Sequence, residues 1–430
     1  MSFYSDSNVQ THYFDPKTYA DATHLNSSGR VNFELDGTKL AYLPNMRLLN
    51  VGVTSNGAHI YNRLVGAYSM IRTIRLLDGN TELSALNEAQ LYRGFLNTNY
   101  QNAKNETVKS HLARNSLGWT INGADRKVGR VEAVGGATAL ESTTKLAWLD
   151  LREVFPILNS VSHLPTSVFK NLNVQIELHS GLDRQILIDV TAEIKSVRPI
   201  LAVDVMSNPN IVSKLNKGLT SARWLEVEHD LFIIPQSAND GGAGDQPGGI
   251  GLVQEVNVKL NGFNNKHLER MVIVKEIANP VKELNGNVQR GFGRYSSQCC
   301  YRQTLQTRVN GRNIFPRNGI TGNNERTAFL IDAYGDMTVY PGFNLYGFVA
   351  ANIIEDGVDY RGQLDYMGVY LGEYINDLQI NYSRTGLQAT AGAGLKRATT
   401  DRLNAHCFAE VAKQIIIRPD GSYIIEYAQA

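Results

Sequence analysis

Hydrophobic and polar residues alternate with a period of two along most of this chain, in short runs. Val31, Phe33 and Leu35 alternate with Asn32 and Glu34, which predicts a half-buried strand. Residues 70–77 predict a second strand, closed by the turn dipeptide Asp78-Gly79. Over residues 81–96, Leu83, Leu86, Leu91 and Phe95 fall roughly on one face and predict a helix. Alternation returns at 173–178, continues through Ile186, Ile188, Val190, Ala192 and Ile194, and ends in an apolar strand over 199–206. Asn208 followed by Pro209 predicts a helix start, and Gly218 its end. The strand pattern then restarts. Leu225, Val227 and Leu231 alternate with Glu226, Glu228 and Asp230, which predicts a strand whose carboxylates share a solvated face. Val256, Val258 and Leu260 run into Asn261-Gly262, and further short strands are expected over 328–340, 366–374 and 377–382. A hairpin closes the sequence, with Pro419-Asp420-Gly421 at its turn.

This pattern divides the chain into an N-terminal arm (1–30), a first β unit (31–206), a linker (207–220) and a second β unit (221–430). Two echoes occur in the same order in both halves. Leu77-Asp78-Gly79 answers to Leu260-Asn261-Gly262, and Val174-Gln-Ile-Glu-Leu178 to Leu378-Gln-Ile-Asn-Tyr382. Long polar stretches at 97–144 and 279–326 and glycine-rich segments at 238–251 and 385–402 read as loops. Many short strands, few helices and two long excursions fit an all-β chain of two tandem jelly rolls with a few short helices. A parallel α/β sheet would need a helix between successive strands, and those helices are not in the pattern.

Composition agrees. Of 430 residues, 43% are hydrophobic, enough for a large core, and only 19% are charged. Polarity comes from turn-forming residues, including 38 glycines. Basic and acidic residues number 42 and 41, a balance that argues against a dedicated nucleic-acid binder. Three cysteines, two of them adjacent (Cys299, Cys300), cannot build a disulfide framework and point to folding in a reducing compartment. No secretory signal pattern opens the chain, and no apolar run is long enough to span a bilayer.

Catalytic chemistry finds little support. The nine histidines show no metal-ligand spacing, and HExxH, CxxC, GxSxG and P-loop patterns do not occur. Glu226 and Glu228 could pair as carboxylates, but acid–base pairs come from separate elements across a cleft, so a solvated strand face is the simpler expectation. Glu355, Asp356 and Asp359 form a small acidic cluster that reads as a plain loop. No cofactor and no metal are expected. Arginine is more informative. Arg290, Arg294, Arg302, Arg308, Arg312 and Arg317 are interleaved with Phe292, Tyr295, Tyr301 and Phe315, and acidic residues are scarce there. Since the whole chain is neutral, this set is expected to be a subunit interface and not a nucleic-acid contact.

The order of elements resembles the double jelly-roll major capsid proteins of tailless icosahedral double-stranded DNA viruses, above all those of polinton-like viruses and virophages. The residues that carry the resemblance are Ile71-Arg-Thr-Ile-Arg-Leu-Leu-Asp-Gly79 leading into Leu83-Ser-Ala-Leu86, and Leu164-Pro165 before Asn171-Leu-Asn-Val-Gln-Ile-Glu-Leu178. The closing strands over 190–206 and the restart at Trp224-Leu-Glu-Val-Glu228 complete it. It implies a non-enzymatic shell subunit. Three chains would form a pseudo-hexameric capsomer that contacts neighbouring capsomers and minor or penton proteins, without sequence-specific nucleic acid. The location it implies is the virion, after synthesis in the host cytoplasm or nucleus; membrane contact stays open. The alternatives are a viral fibre, spike or carbohydrate-binding β-sandwich, and, more remotely, a hydrolase on a β scaffold.

Overall fold

The computed structural model describes residues 8–21, 29–35, 37, 40–52, 54–55, 59–60, 67–98, 133–134, 147–179, 194–235, 250–277, 303–316, 319–320, 323–334, 354–355, 358–359, 366–387 and 402–428. The first lobe contains β1 (Val9–Phe14), β2 (Arg30–Glu34), β3 (Ala41–Val51), β4 (Ile71–Asp78), β5 (Thr81–Asn87), α1 (Ala89–Thr98), β6 (Ala147–Asp150), α2 (Ile157–Ser160), β7 (Leu172–Leu178) and β8 (Ile200–Met206). Helix α3 (Pro209–Gly218) leads into the second lobe. That lobe contains β9 (Ser221–Ile234), β10 (Ile250–Lys259), β11 (Lys266–Ile277), β12 (Gln303–Val309), β13 (Arg312–Asn313), α4 (Asn323–Tyr334), β14 (Met367–Ile375), β15 (Leu378–Leu387), β16 (Leu403–Ile417) and β17 (Tyr423–Tyr427).

Each lobe is a sandwich of two antiparallel sheets, each built on a path of four strands, and one sheet of each lobe gains a fifth strand off that path, Leu164–Pro165 on β3 in the first lobe and β17 on β16 in the second. The strand orders are β1-β8-β3-β6 and β2-β7-β4-β5 in the first, β9-β16-β11-β14 and β10-β15-β12-β13 in the second. Each of β9 to β16 stands where the strand eight places earlier stands in the first lobe. This is the jelly-roll order twice over, as the sequence pattern predicts. β17 adds to β16 beyond the end of β11.

The echo that identifies this repeat is partly displaced. Val174–Leu178 and Leu378–Tyr382 lie on β7 and β15, which are equivalent strands. Asp78-Gly79 closes β4, whereas Asn261-Gly262 follows β10, a non-equivalent strand. The true counterpart of Asp78-Gly79 is Asn310-Gly311 between β12 and β13, where both residues take positive φ (50° and 80°) as a tight hairpin turn requires.

Four further expectations change. Residues 81–96 are not one helix. Thr81–Asn87 returns across the Asp78-Gly79 turn as a strand, and the helix starts only after Glu88, whose φ of 48° breaks the chain direction. Leu83 to Leu86 are all buried because both faces of β5 are covered, and such a run carries no period. The supposed arm over 1–30 supplies β1, which pairs with β8 from Val9↔Met206 to Phe14↔Leu201. As a largely exposed edge strand it shows no apolar alternation. Stretch 279–326 contains β12, β13 and the start of α4, and the strand expected after Ala328 is the rest of that helix. Finally, β9 keeps its alternation but with the opposite phase: Ala222, Trp224, Glu226, Phe232 and Ile234 are buried, while Leu225, Leu231 and Ile233 are exposed.

The helix start at Asn208 forms as expected. Its side-chain oxygen accepts from the Asn210 N–H at 3.0 Å and the Ile211 N–H at 3.4 Å, with Pro209 in the first turn. Val212 then packs on Ala41, Leu43 and Met206. Asn208→Ala should cost about 1 kcal/mol, read as a lower urea midpoint with an unchanged slope. An unaltered midpoint would show the cap to be idle.

Candidate functional site

The hydrophobic core does not respect the lobe boundary. One buried cluster fills the first sandwich and continues into Ala222, Trp224, Val272, Val274, Leu330, Tyr366, Phe408 and Ile415; a second cluster belongs to the second sandwich alone. Among the described residues, the seam between lobes is therefore a shared hydrophobic core.

Helix α1 forms its centre. The Phe95 ring meets Tyr334 of α4 at 4.8 Å and Tyr366 at 5.0 Å, both edge-on, and Tyr92 lies 5.3 Å from Phe408 on β16. The Tyr92 hydroxyl donates to Glu410 Oε1 at 2.9 Å, and Arg270 Nε lies 2.9 Å from Glu410 Oε2. The Arg270 guanidinium stacks 4.4 Å over the Tyr334 ring and donates to the Ala333 carbonyl at 3.1 Å. Burial, and then the Glu410 charge, push both tyrosine hydroxyls well above the ordinary range, so they stay protonated, and Tyr92 remains a donor to Glu410. A second contact runs through the C-terminal hairpin, where the Tyr423 hydroxyl donates to Asp78 Oδ2 at 2.8 Å.

Glu226 joins the lobes a third time. One carboxylate oxygen accepts from Ser84 Oγ at 2.9 Å and the Ala85 N–H at 3.0 Å, both on β5; the other accepts from Trp224 Nε1 at 2.6 Å. The expected solvated face is thus a buried inter-lobe clasp, and burial lifts the Glu226 carboxyl to about 7 against the opposing pull of Lys413 and these donors. At Glu228, burial works in the same direction, but it is outweighed by the hydrogen bond and charge of Lys266, the charge of Lys413 and the Tyr427 hydroxyl, so the carboxyl lies below its usual range. Two carboxyls two residues apart therefore hold their protons very differently, yet both are spent on packing contacts.

Sequence spacing missed one histidine pair, because it is made by strand pairing. His229 Nε2 and His406 Nδ1 are 2.9 Å apart, on β9 and β16, with His406 Nε2 3.5 Å from Glu276. Burial, then the neighbouring His406, push His229 down to about 4. Among the described residues no group of three or more His, Cys, Asp or Glu side chains could hold a metal ion. Among them, too, no helix is long and apolar enough to cross a membrane. Cys407 is buried with its thiol pushed up by that burial; Cys299 and Cys300 lie outside the described residues.

The arginine–aromatic set is only partly placed. Arg290, Phe292, Arg294, Tyr295, Tyr301, Arg302 and Arg317 lie outside the described residues, as does Asp356. Arg308 on β12 donates to the Gly311 carbonyl at 3.3 Å, and Arg312 on β13 pairs with Glu373 at 2.5 Å while staying mostly exposed. Phe315 is taken up by the core of its own lobe, 4.7 Å from Phe329, and offers no side-chain surface to a neighbour.

No protein-family model and no curated protein sequence matches this chain. Solved structures do. One, described as PBCV-1 VP54 fitted into a cryo-EM reconstruction of the virophage Sputnik, superposes with a TM-score of 0.57 at 10% identity, covering 100% of this chain and 99% of that one. The cryo-EM structure of the Sputnik virophage gives 0.51 at 10% identity, covering 98% of this chain and 89% of that one. The Faustovirus major capsid protein gives 0.51 at 8% identity, covering 97% and 92%. These likenesses span both lobes and establish the shared double jelly-roll fold.

Proposed function

We propose that this chain is the structural subunit of an icosahedral viral shell, acting by assembly and not by catalysis. The observation that carries this reading is the welded pair of identically wound lobes, matched over nearly its whole length by the structure described as the Faustovirus major capsid protein. Two fused, look-alike lobes make three copies a near-hexagonal block, the shape that tiles a flat facet. Homotrimers, neighbouring capsomers and minor or penton proteins are the partners this implies, and the virion the place. The exposed Leu225, Leu231, Ile233, Tyr370 and Tyr374 supply apolar surface that assembly would cover. Purified protein should run at about three times its 47.6 kDa chain mass and appear as six-lobed particles by negative-stain electron microscopy. A stable monomer at micromolar concentration, or selective capture on a glycan array, would favour the fibre, spike or carbohydrate-binding alternative instead.

A further inference from the structure

We propose that residues 3–7 of this chain lie as a strap along helix α3, with the side chain of Phe3 or Tyr4 set between Leu40 and Val212. This goes beyond the capsomer reading and does not depend on it. The seat is an open-sided groove of about 450 Å³ at one end of the first lobe. Pro209, Val212, Ser213, Asn216 and Lys217 form one stripe of α3, at the spacing i, i+3, i+4, i+7, i+8, and Leu40, just before β3, is the opposite wall. Both walls are held. The Leu40 carbonyl accepts from the Thr166 N–H at 3.2 Å, and Asn216 Oδ1 lies 2.7 Å from His163 Nε2. Leu40 is nevertheless 39% exposed, and among the described residues no side chain fills the space between it and α3.

The occupant follows from where the described chain begins. Asn8 is anchored at the start of α3. Its carbonyl accepts from the Ser207 N–H at 3.1 Å, and its side-chain oxygen accepts from Asn208 Nδ2 at 3.1 Å. Val9 pairs with Met206 and packs, with Ile211, on the cluster of Ala41, Leu43, Met206 and Val212. The residues before Asn8, which lie outside the described residues, are therefore tethered at the Pro209 end of the groove. Extended chain from Phe3 to Asn8 spans about 16 Å at ~3.3 Å per residue, and Lys217 stands about 13 Å along α3 from Asn208 at ~1.5 Å per residue. The segment is long enough to run the length of the groove.

Its chemistry matches the seat. Phe3-Tyr4 is followed by Ser5-Asp6-Ser7, so the segment is apolar at one end, and its charged side chain is acidic while those of α3, Lys214 and Lys217, are basic. Phe3 and Tyr4 point to opposite sides of an extended chain, so one enters the groove and the other covers it. The tether gives the segment an effective concentration in the millimolar range, ahead of a free peptide of like composition.

Ser5→Cys combined with Ser213→Cys tests the strap under mild oxidation; Ser213 is exposed and lines the groove. The double variant is expected to form a disulfide at single-chain mass, several-fold above either single variant, which controls for the native thiols. Cross-linking only at twice the chain mass would assign the strap to a second copy and overturn the proposal, as would no excess over the single variants. In full-length protein carrying Phe3→Ser and Tyr4→Ser, hydroxyl-radical oxidation of Leu40 and acylation of Lys217 should speed several-fold relative to wild type in the same oligomeric state. Unchanged rates overturn the strap and leave the capsomer standing. A wild type that stays monomeric, with the intramolecular disulfide still forming in the double variant, overturns the capsomer and keeps the strap.

Discussion

Replacing Phe95 with alanine is expected to remove about 3–5 kcal/mol of stability, the range for deleting a buried aromatic ring that cannot be refilled. Phe95 is fully buried on α1, and its ring meets Tyr334 and Tyr366 edge-on. Those partners belong to the second lobe, so the loss falls on the coupling between lobes as well as on the core. Wild type should therefore unfold in one transition, while Phe95→Ala should separate into two, the first lobe's and the second's. Phe263→Ala, in the cluster private to the second lobe, should cost a similar amount and weaken only that lobe's transition. Calorimetry reads both outcomes. A loss under about 1 kcal/mol for Phe95→Ala would mean the seam is not a shared core.

Glu226 carries the second large effect, and its sign depends on pH. Its carboxyl is raised from 4.5 to about 7 by burial. Protonation therefore stabilises the folded state. The contribution is fully present below about 4.5 and is lost as pH rises through about 7, on the order of 3 kcal/mol for a shift of that size. His229 acts oppositely. With its value lowered from 6.5 to about 4, its contribution is present above 6.5 and lost as pH falls through about 4. Buried His163, also held below its usual value, has the sign of His229. Between roughly 4.5 and 6.5 these slopes offset one another in the wild type.

Glu226→Gln removes one side of that balance while keeping an acceptor oxygen for Ser84 and Ala85, its amide NH2 then facing the Trp224 N–H. Its stability should fall on acidification where the wild type is nearly flat, and the difference between the two should grow in the variant's favour as pH rises from 4.5 to 7.5. Parallel stability curves would show that the carboxyl does not titrate in the seam. Glu226→Ala leaves three buried donors without an acceptor and should cost about 3 kcal/mol or more at pH 5.

The fold was readable because jelly-roll strands alternate and their turns are chemically marked. β7 and β15 both show clean alternation, Asp78-Gly79 and Pro419-Asp420-Gly421 mark hairpins, and Asn208-Pro209 marks the one interior helix start that could be located. Wherever a strand is covered on both faces or on neither, the period vanishes. β5 shows four buried residues in succession and reads as helix; β1 lies exposed at an edge and reads as an arm.

The seam was not readable, and the reason is geometric. Alternation along β9 states that successive residues face opposite ways, but it does not state which way is inward. In an isolated sandwich the leucines would face the core and the glutamates water. Here the first lobe lies on the Glu226 side, Ser84 and Ala85 of that lobe together with Trp224 satisfy the Glu226 carboxylate, and Leu225, Leu231 and Ile233 are turned outward. The amino-acid sequence by itself determined two β units, their strand periodicity, most of their turns and the linker helix, because these depend on neighbours along the chain. The tertiary structure alone decided the phase of β9, the pairing of His229 with His406 and that of Arg270 with Glu410, because these depend on which surfaces meet across hundreds of intervening residues.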